Sequence, residues 1–214
     1  MDPLPALADR AARAGLFLSG IAPLRPEDGM PPRFRSVALL SPQEPDFWPL
    51  FRASPEAQDG QPDPLDRWSR RVIGRIACAL GLKAVFPFGG PPYRPFLAWA
   101  LRSGRCWSSP ATLLVHETAG LWISFRGGIL LGTEAPPVAA RRPCDGCPAP
   151  CLAACPPRAL TASGYDLPAC HAFLDSPPGQ ACMTQGCRVR AACPVGASRR
   201  MPDQSAFHMR AFHA

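Results

Sequence analysis

The chain has 214 residues, 47% of them hydrophobic and 18% charged, a balance that supports a buried core and excludes a disordered chain. The formal net charge is +7, but Lys83 is the only lysine and the arginines are scattered among alanine, proline and glycine, which argues against a nucleic-acid-binding surface. No continuous apolar stretch marks the first 14 residues as a leader and none reaches the length of a membrane span, so the expected location is cytoplasmic, without a membrane partner.

Residues 3–15 carry apolar and alanine side chains at helical spacing, followed by the short apolar segment of Leu16, Phe17, Leu18 and Ile21. Residues 36–40 (SVALL) predict a buried strand, and residues 44–56, with Phe47, Trp48, Leu50 and Phe51, a short helix. The clearest helix starts at Asp63 as N-cap with Pro64 at the first helical position. It is expected to bury Leu65, Trp68, Val72, Ile76 and Leu80, to turn Arg67, Arg70, Arg71 and Arg75 outward, and to stop at Gly81. A short strand over residues 84–88, a Gly-Gly-Pro-Pro turn and a helix over residues 96–103 come next. Two strands are expected over residues 112–116 and 121–125, joined by a turn at Ala119-Gly120 and continuing through Arg126-Gly127-Gly128 into Ile129, Leu130 and Leu131. Residues 133–143 (TEAPPVAARRP) read as a linker. The fold class is therefore α+β, with an α+β domain over residues 1–140 and a small module over residues 141–214.

That module holds the strongest signal. Cys144, Cys147, Cys151 and Cys155 are separated by two, three and three residues, and Pro156 follows the last. Thiolates are the ligands of iron-sulfur clusters, and in two-cluster proteins the fourth cysteine of such a run, marked by the following proline, serves the other cluster. A second set, Cys170, Cys182, Cys187 and Cys193, again ends in proline, Pro194. Exchange of the terminal cysteines gives Cys144, Cys147, Cys151 and Cys193 as ligands of one 4Fe-4S cluster and Cys155, Cys170, Cys182 and Cys187 as ligands of another. The irregular gaps of the second set leave a one-cluster module open, and the Cys-x2-Cys spacing leaves structural zinc open. Ten cysteines in a reducing compartment speak for metal over disulfides. Two oxidised clusters, each about −2 with its thiolates, would lower the net charge to roughly +3.

Outside the module, Cys78 and Cys106 read as small buried hydrophobes. His116 at a strand end reads as structural, and His208 and His213 as helix-face residues; His171 lies within the cysteine module. Arg188 and Arg190 flank Cys187, where charge and hydrogen bonds could tune a cluster.

The segment GRCWSSPATLLVHETAGLWISFRGGILLG and the segment YDLPACHAFL resemble the epoxyqueuosine reductase family, in which a cobalamin-binding domain precedes a two-cluster ferredoxin module; the likeness covers roughly residues 94–196. The segments DPLDRWSRRVIGRI, PPYRPFLAWALRSG and LLVHETAGLWISFRGGILL resemble the CblC-type cobalamin-processing proteins. Both families imply a flavin-reductase or nitroreductase-like α+β first domain followed by a ferredoxin-like module, with cobalamin or flavin as candidate cofactors. Arg126 matches an arginine that the CblC-type proteins carry in their ligand-binding region; read without the resemblance, it is a strand-end arginine with a solvated head. The family's catalytic aspartate has no counterpart, because the corresponding stretch near Phe88 reads FGGPPY, so an epoxide reduction lacks its proton donor and a reductase activity of that kind is not carried over.

The expectation is thus an iron-sulfur electron-transfer protein, or oxidoreductase component, relaying single electrons from a redox partner protein toward a cofactor at the first domain. The competing expectations are a corrinoid-handling module and a zinc-stabilised nucleic-acid-binding protein.

Overall fold

The computed structural model of the chain describes residues 2–196 and 201–214. In chain order its helices and strands are α1 (Leu4–Arg13), β1 (Leu16–Pro23), β2 (Ser36–Pro42), α2 (Phe47–Arg52), α3 (Pro55–Gln58), α4 (Pro64–Ala79), β3 (Lys83–Val85), α5 (Phe96–Arg102), β4 (Cys106–Ser108), β5 (Leu114–His116), β6 (Gly127–Leu131), β7 (Leu160–Thr161), β8 (Gly164–Tyr165), α6 (Leu167–Leu174), α7 (Gln180–Gln185), α8 (Arg188–Ala191) and α9 (Pro202–His213). This is a mixed α+β protein. Two compact units divide it: Met1–Cys106 with Ser124–Ala140, and Trp107–Ile123 with Arg141–Ala214. Among the described residues no helix is long and apolar enough to cross a membrane.

The first unit is built on an antiparallel sheet of order β1-β2-β6-β3. Every residue of β2 is buried, so this strand lacks the in-out alternation of a sheet with one wet face. Gly127 and Gly128 open β6 for a packing reason: a Cβ at the first would stand 2.8 Å from Ile73 Cδ1 of α4, and at the second 2.8 Å from Val37 Cγ2. The aromatic residues of α2 meet α4, with Phe47 and Trp68 edge to face at 5.3 Å and Phe51 and Trp68 at 6.3 Å. Such pairs add about 0.5–1.5 kcal/mol beyond their burial.

Several sequence expectations change here. The buried stripe of α4 is Leu65, Trp68, Ser69, Ile73, Ile76 and Ala77, while Val72 and Leu80 lie at its edge, half-buried. Cys78 is exposed rather than buried: two positions after Ile76, it is turned about 200° around the helix from the core. Cys106 is buried, as read. Asp63 precedes the helix in a left-handed conformation (φ 51°), and its side chain makes no capping bond. The strand expected over residues 84–88 ends at Val85, after which Phe86 and Phe88 pack together at 5.3 Å.

Residues 121–125 form no strand. Leu121, Trp122 and Ile123 are all buried in succession. Instead the Trp122 N–H closes a turn on the Ala119 carbonyl at 3.1 Å, and a single His116–Gly120 bridge is all that remains of the hairpin.

The second unit has little regular structure. Beside β5, which pairs with β4, it holds the two-stranded β7-β8 ladder and short helices, with α7 packed on α9. Its buried cluster is Ala111, Val115, Leu121, Cys151, Leu160, Val189 and Cys193, with Cys144, Cys155 and Cys187 packed against it. Cysteines stand where another module of this size would place aliphatic side chains.

A candidate iron-sulfur centre

The chain between Cys144 and Cys155 winds through tight turns. The Cys147 N–H bonds the Cys144 carbonyl at 3.1 Å, and the Leu152 N–H the Ala149 carbonyl at 3.1 Å. Gly146 takes φ 77°, and two residues that are not glycine, Ala149 (φ 52°) and Arg158 (φ 54°), are also left-handed. Such conformations cost of order 1–3 kcal/mol each and cluster at functional sites. Gly146 and Ala149 lie between the first three cysteines of the run.

Cys144, Cys147, Cys151 and Cys193 together line one pocket, an empty space of about 360 Å³ that includes open solvent. Its remaining wall is mostly apolar, with Pro110, Val115, Leu121, Ala149, Pro150 and Val195 prominent. The segment after His116 supplies part of this architecture. His116 is buried and accepts the N–H groups of Thr118 and Ala119 on Nδ1, each at 3.1 Å, which leaves it as a turn-forming residue. The turn presents Gly120 (φ 57°), where a Cβ would lie 1.9 Å from the Val195 carbonyl oxygen and 3.1 Å from Cys193 Sγ. Only glycine lets these backbones meet.

The other four cysteines form a second neighbourhood. Cys170 lies within electrostatic reach of Cys187 and Cys155, and Cys182 of Cys187 and Cys170. They come from the end of the first run, from α6, from α7 and from the residue before α8. The first of the two expected sets thus shares one pocket, and members of the second lie near one another.

Burial pushes the Cys144, Cys151, Cys170 and Cys182 thiols above their ordinary value, and neighbouring cysteines add to the rise in each. Four thiolates in a low-dielectric pocket repel one another and need a cationic centre to ionise together. Nearby backbone N–H groups, of Cys151 and Leu152 for Cys151 and of Arg188 for Cys182, partly offset this rise. The donor set, all thiols with N–H groups beside them and apolar walls around one quartet, fits four-iron clusters. Among the described residues no three His, Cys, Asp or Glu side chains converge closely enough to hold a single metal ion.

Tyr165 on β8 was not singled out by the sequence. The residue is 40% exposed, and partial burial, then the neighbouring Cys170 thiol, push its pKa up. Its ring stacks on Phe212 of α9 at 6.4 Å and 12°. Arg190, half-buried in α8, donates to the Leu121 carbonyl. Burial lowers its pKa, while nearby Cys187 and Tyr165 raise it. The signal for Tyr165 is its place on β8 five residues ahead of Cys170, but nothing in a lone tyrosine shows where its hydroxyl ends.

The histidines divide. His213 is more than a helix-face residue: its Nε2 lies 2.7 Å from Asp175 Oδ1 and its Nδ1 3.2 Å from His171 Nδ1, fastening the end of α9 to α6. In the first unit, Arg126 is not solvated. Its side chain is 11% exposed, pairs with Asp66, donates to Ser69 Oγ at 3.1 Å and lies 5.5 Å from the Phe88 ring centre. Burial pulls its pKa down against the pull of Asp66. Arg70 covers the same Phe88 ring at 5.2 Å and Phe86 at 5.6 Å.

Comparison of the chain with protein-family models and with curated proteins gives no match.

Proposed function

We propose that this protein is an iron-sulfur electron-transfer protein holding two 4Fe-4S clusters, one on Cys144, Cys147, Cys151 and Cys193 and one on Cys155, Cys170, Cys182 and Cys187. The observation that carries this reading is that Cys193 joins Cys144, Cys147 and Cys151 around one pocket. Each quartet takes three cysteines from one stretch of the chain and one from the other, and the first lines a single mostly apolar pocket. When bound, each cluster supplies one reversible electron at nearly constant geometry. The chain's own contribution is to hold the thiols in place, to keep water from the apolar wall at Val115 and Leu121, and to place backbone N–H groups near Cys151 and Cys182.

In this reading the second unit is a ferredoxin-like module and the first a nitroreductase-like α+β domain, the likeness resting on the sequence segments given above. The physiological exchange is with a redox partner protein in the cytoplasm, and a corrinoid or flavin at the first unit is the candidate acceptor. Arg126 would then contact the cofactor from its Asp66 pairing rather than as a free cation.

The test is a reductive titration of anaerobically purified protein, followed by visible absorption. Uptake of roughly two electrons per chain, with bleaching of the charge-transfer bands, is expected for two clusters. Protein that is colourless and takes up no electrons contradicts the reading. Added cob(II)alamin or flavin shifts the spectrum if the first unit binds either; no shift removes that part alone.

A further inference from the structure

The wall of the pocket shared by Cys144, Cys147, Cys151 and Cys193 holds one further polar side chain. Its other residues are proline, alanine, valine and leucine, and the exception is Ser109. Ser109 directly follows β4, at the start of the connection to β5. Its backbone is fully engaged: its N–H bonds the Leu113 carbonyl at 2.8 Å, and its carbonyl accepts the Thr112 N–H at 3.0 Å. Thr112 is left-handed (φ 60°) in this turn. Arg142, two residues ahead of Cys144, donates to the Ser108 carbonyl at 2.8 Å, which ties the turn to the start of the cysteine run. Only the serine side chain is left unused. Ser109 is 5% exposed, and its hydroxyl is buried with no hydrogen-bond partner among the described residues.

Burying a hydroxyl without a partner is destabilising, and native structures pair almost all such groups. An orphaned donor in a wall that is otherwise apolar points to an acceptor in the space that the wall encloses. The sulfurs of a 4Fe-4S cluster are such acceptors, and hydrogen bonds to them set its potential. We infer that Ser109 is a hydrogen-bond donor to the cluster on Cys144, Cys147, Cys151 and Cys193, and that its hydroxyl raises the reduction potential of that cluster. The inference rests on the cluster reading above and adds to it the residue that tunes one of the two sites. Reduction adds one electron to the cluster while the proton stays on Oγ, so the reduced cluster is more negative by one charge and accepts the bond more strongly. The apolar wall enlarges that difference, because little water is there to screen it.

The experiment compares wild type, Ser109→Ala and Ser109→Thr as anaerobic full-length protein, by redox titration and by electron-nuclear double resonance of the reduced clusters in H2O and D2O. Cys193→Ser, which removes a ligand of the first site, identifies the signal of that site by its loss. In Ser109→Ala the potential of this signal falls, changing the oxidised-to-reduced ratio at fixed potential by roughly tenfold, about 59 mV for one electron, and an exchangeable proton coupling disappears. The other cluster keeps its potential. Ser109→Thr retains the hydroxyl, and with it the coupling and most of the potential. An unmoved potential, a coupling that survives in Ser109→Ala, or a shift in the other cluster instead overturns the inference while the cluster reading stands. Iron lost from the first site in both variants marks a packing role and overturns it too; iron lost in Ser109→Ala and kept in Ser109→Thr supports it. Wild-type protein without iron and sulfide overturns the cluster reading itself.

Discussion

The two units solve the problem of a core in different ways. The first buries large apolar side chains, Phe47, Phe51, Trp68 and Trp99 among them, and its stability follows from area removed from water. The second buries Cys151, Cys182 and Cys193 among short helices and a two-residue-per-strand ladder. Its hydrophobic cluster is small and its cysteines repel one another once ionised. In the proposed reading this module would depend on what its thiolates bind, as small metal-dependent domains do. The difference sets a fold closed by its own apolar core beside one that, in the proposed reading, its clusters would complete.

Metal removal should separate the two units most sharply. With chelator and reductant, the amides of Gly120, Cys147 and Cys193 should lose their protection from hydrogen exchange, while those of β2 and β6 keep theirs. Equal loss in both units would break the comparison. Next in size are the single ligand changes. Cys193→Ser should cost the first site its four irons and spare the second, and Cys155→Ser the reverse, read as iron and sulfide per chain falling by about half. Loss of the same cluster in both variants would refute the exchanged pairing.

Trp68→Ala probes the other side of the comparison. Emptying this aromatic site should cost about 3–5 kcal/mol in denaturant unfolding of the first unit, with iron content unchanged. Smallest is the Glu56–Arg71 pair, in which Arg71 binds Glu56 at 2.8 Å and lowers its pKa from 4.5 to about 2. A carboxylate with a depressed folded pKa contributes fully above its unfolded value and loses that contribution as pH falls. The first unit should therefore weaken between about pH 4.5 and about pH 2, and Glu56→Gln should flatten that limb at a cost of roughly 1–2 kcal/mol at neutral pH.

What the sequence made legible follows from how local each signal is. The α4 helix was readable from Pro64 and the apolar spacing, but its stripe lies at Ile73 and Ala77 as well as Ile76, because the neighbouring sheet, not the helix alone, selects the face. Cys78 was misplaced for the same reason. The run of buried residues at Leu121, Trp122 and Ile123 looked like a strand, yet its geometry depends on Arg190, 69 residues away in sequence. The cysteines were readable because ligand spacing is a covalent property of the chain. Tyr165 and Gly120 were not, since their meaning comes only from Cys170 and Cys193 being brought beside them.

The most direct test of the account is chemical analysis of iron, acid-labile sulfide and zinc in protein purified or reconstituted without oxygen. Roughly eight iron and eight sulfide per chain, with no zinc, is the expected result. Stoichiometric zinc without sulfide would contradict it.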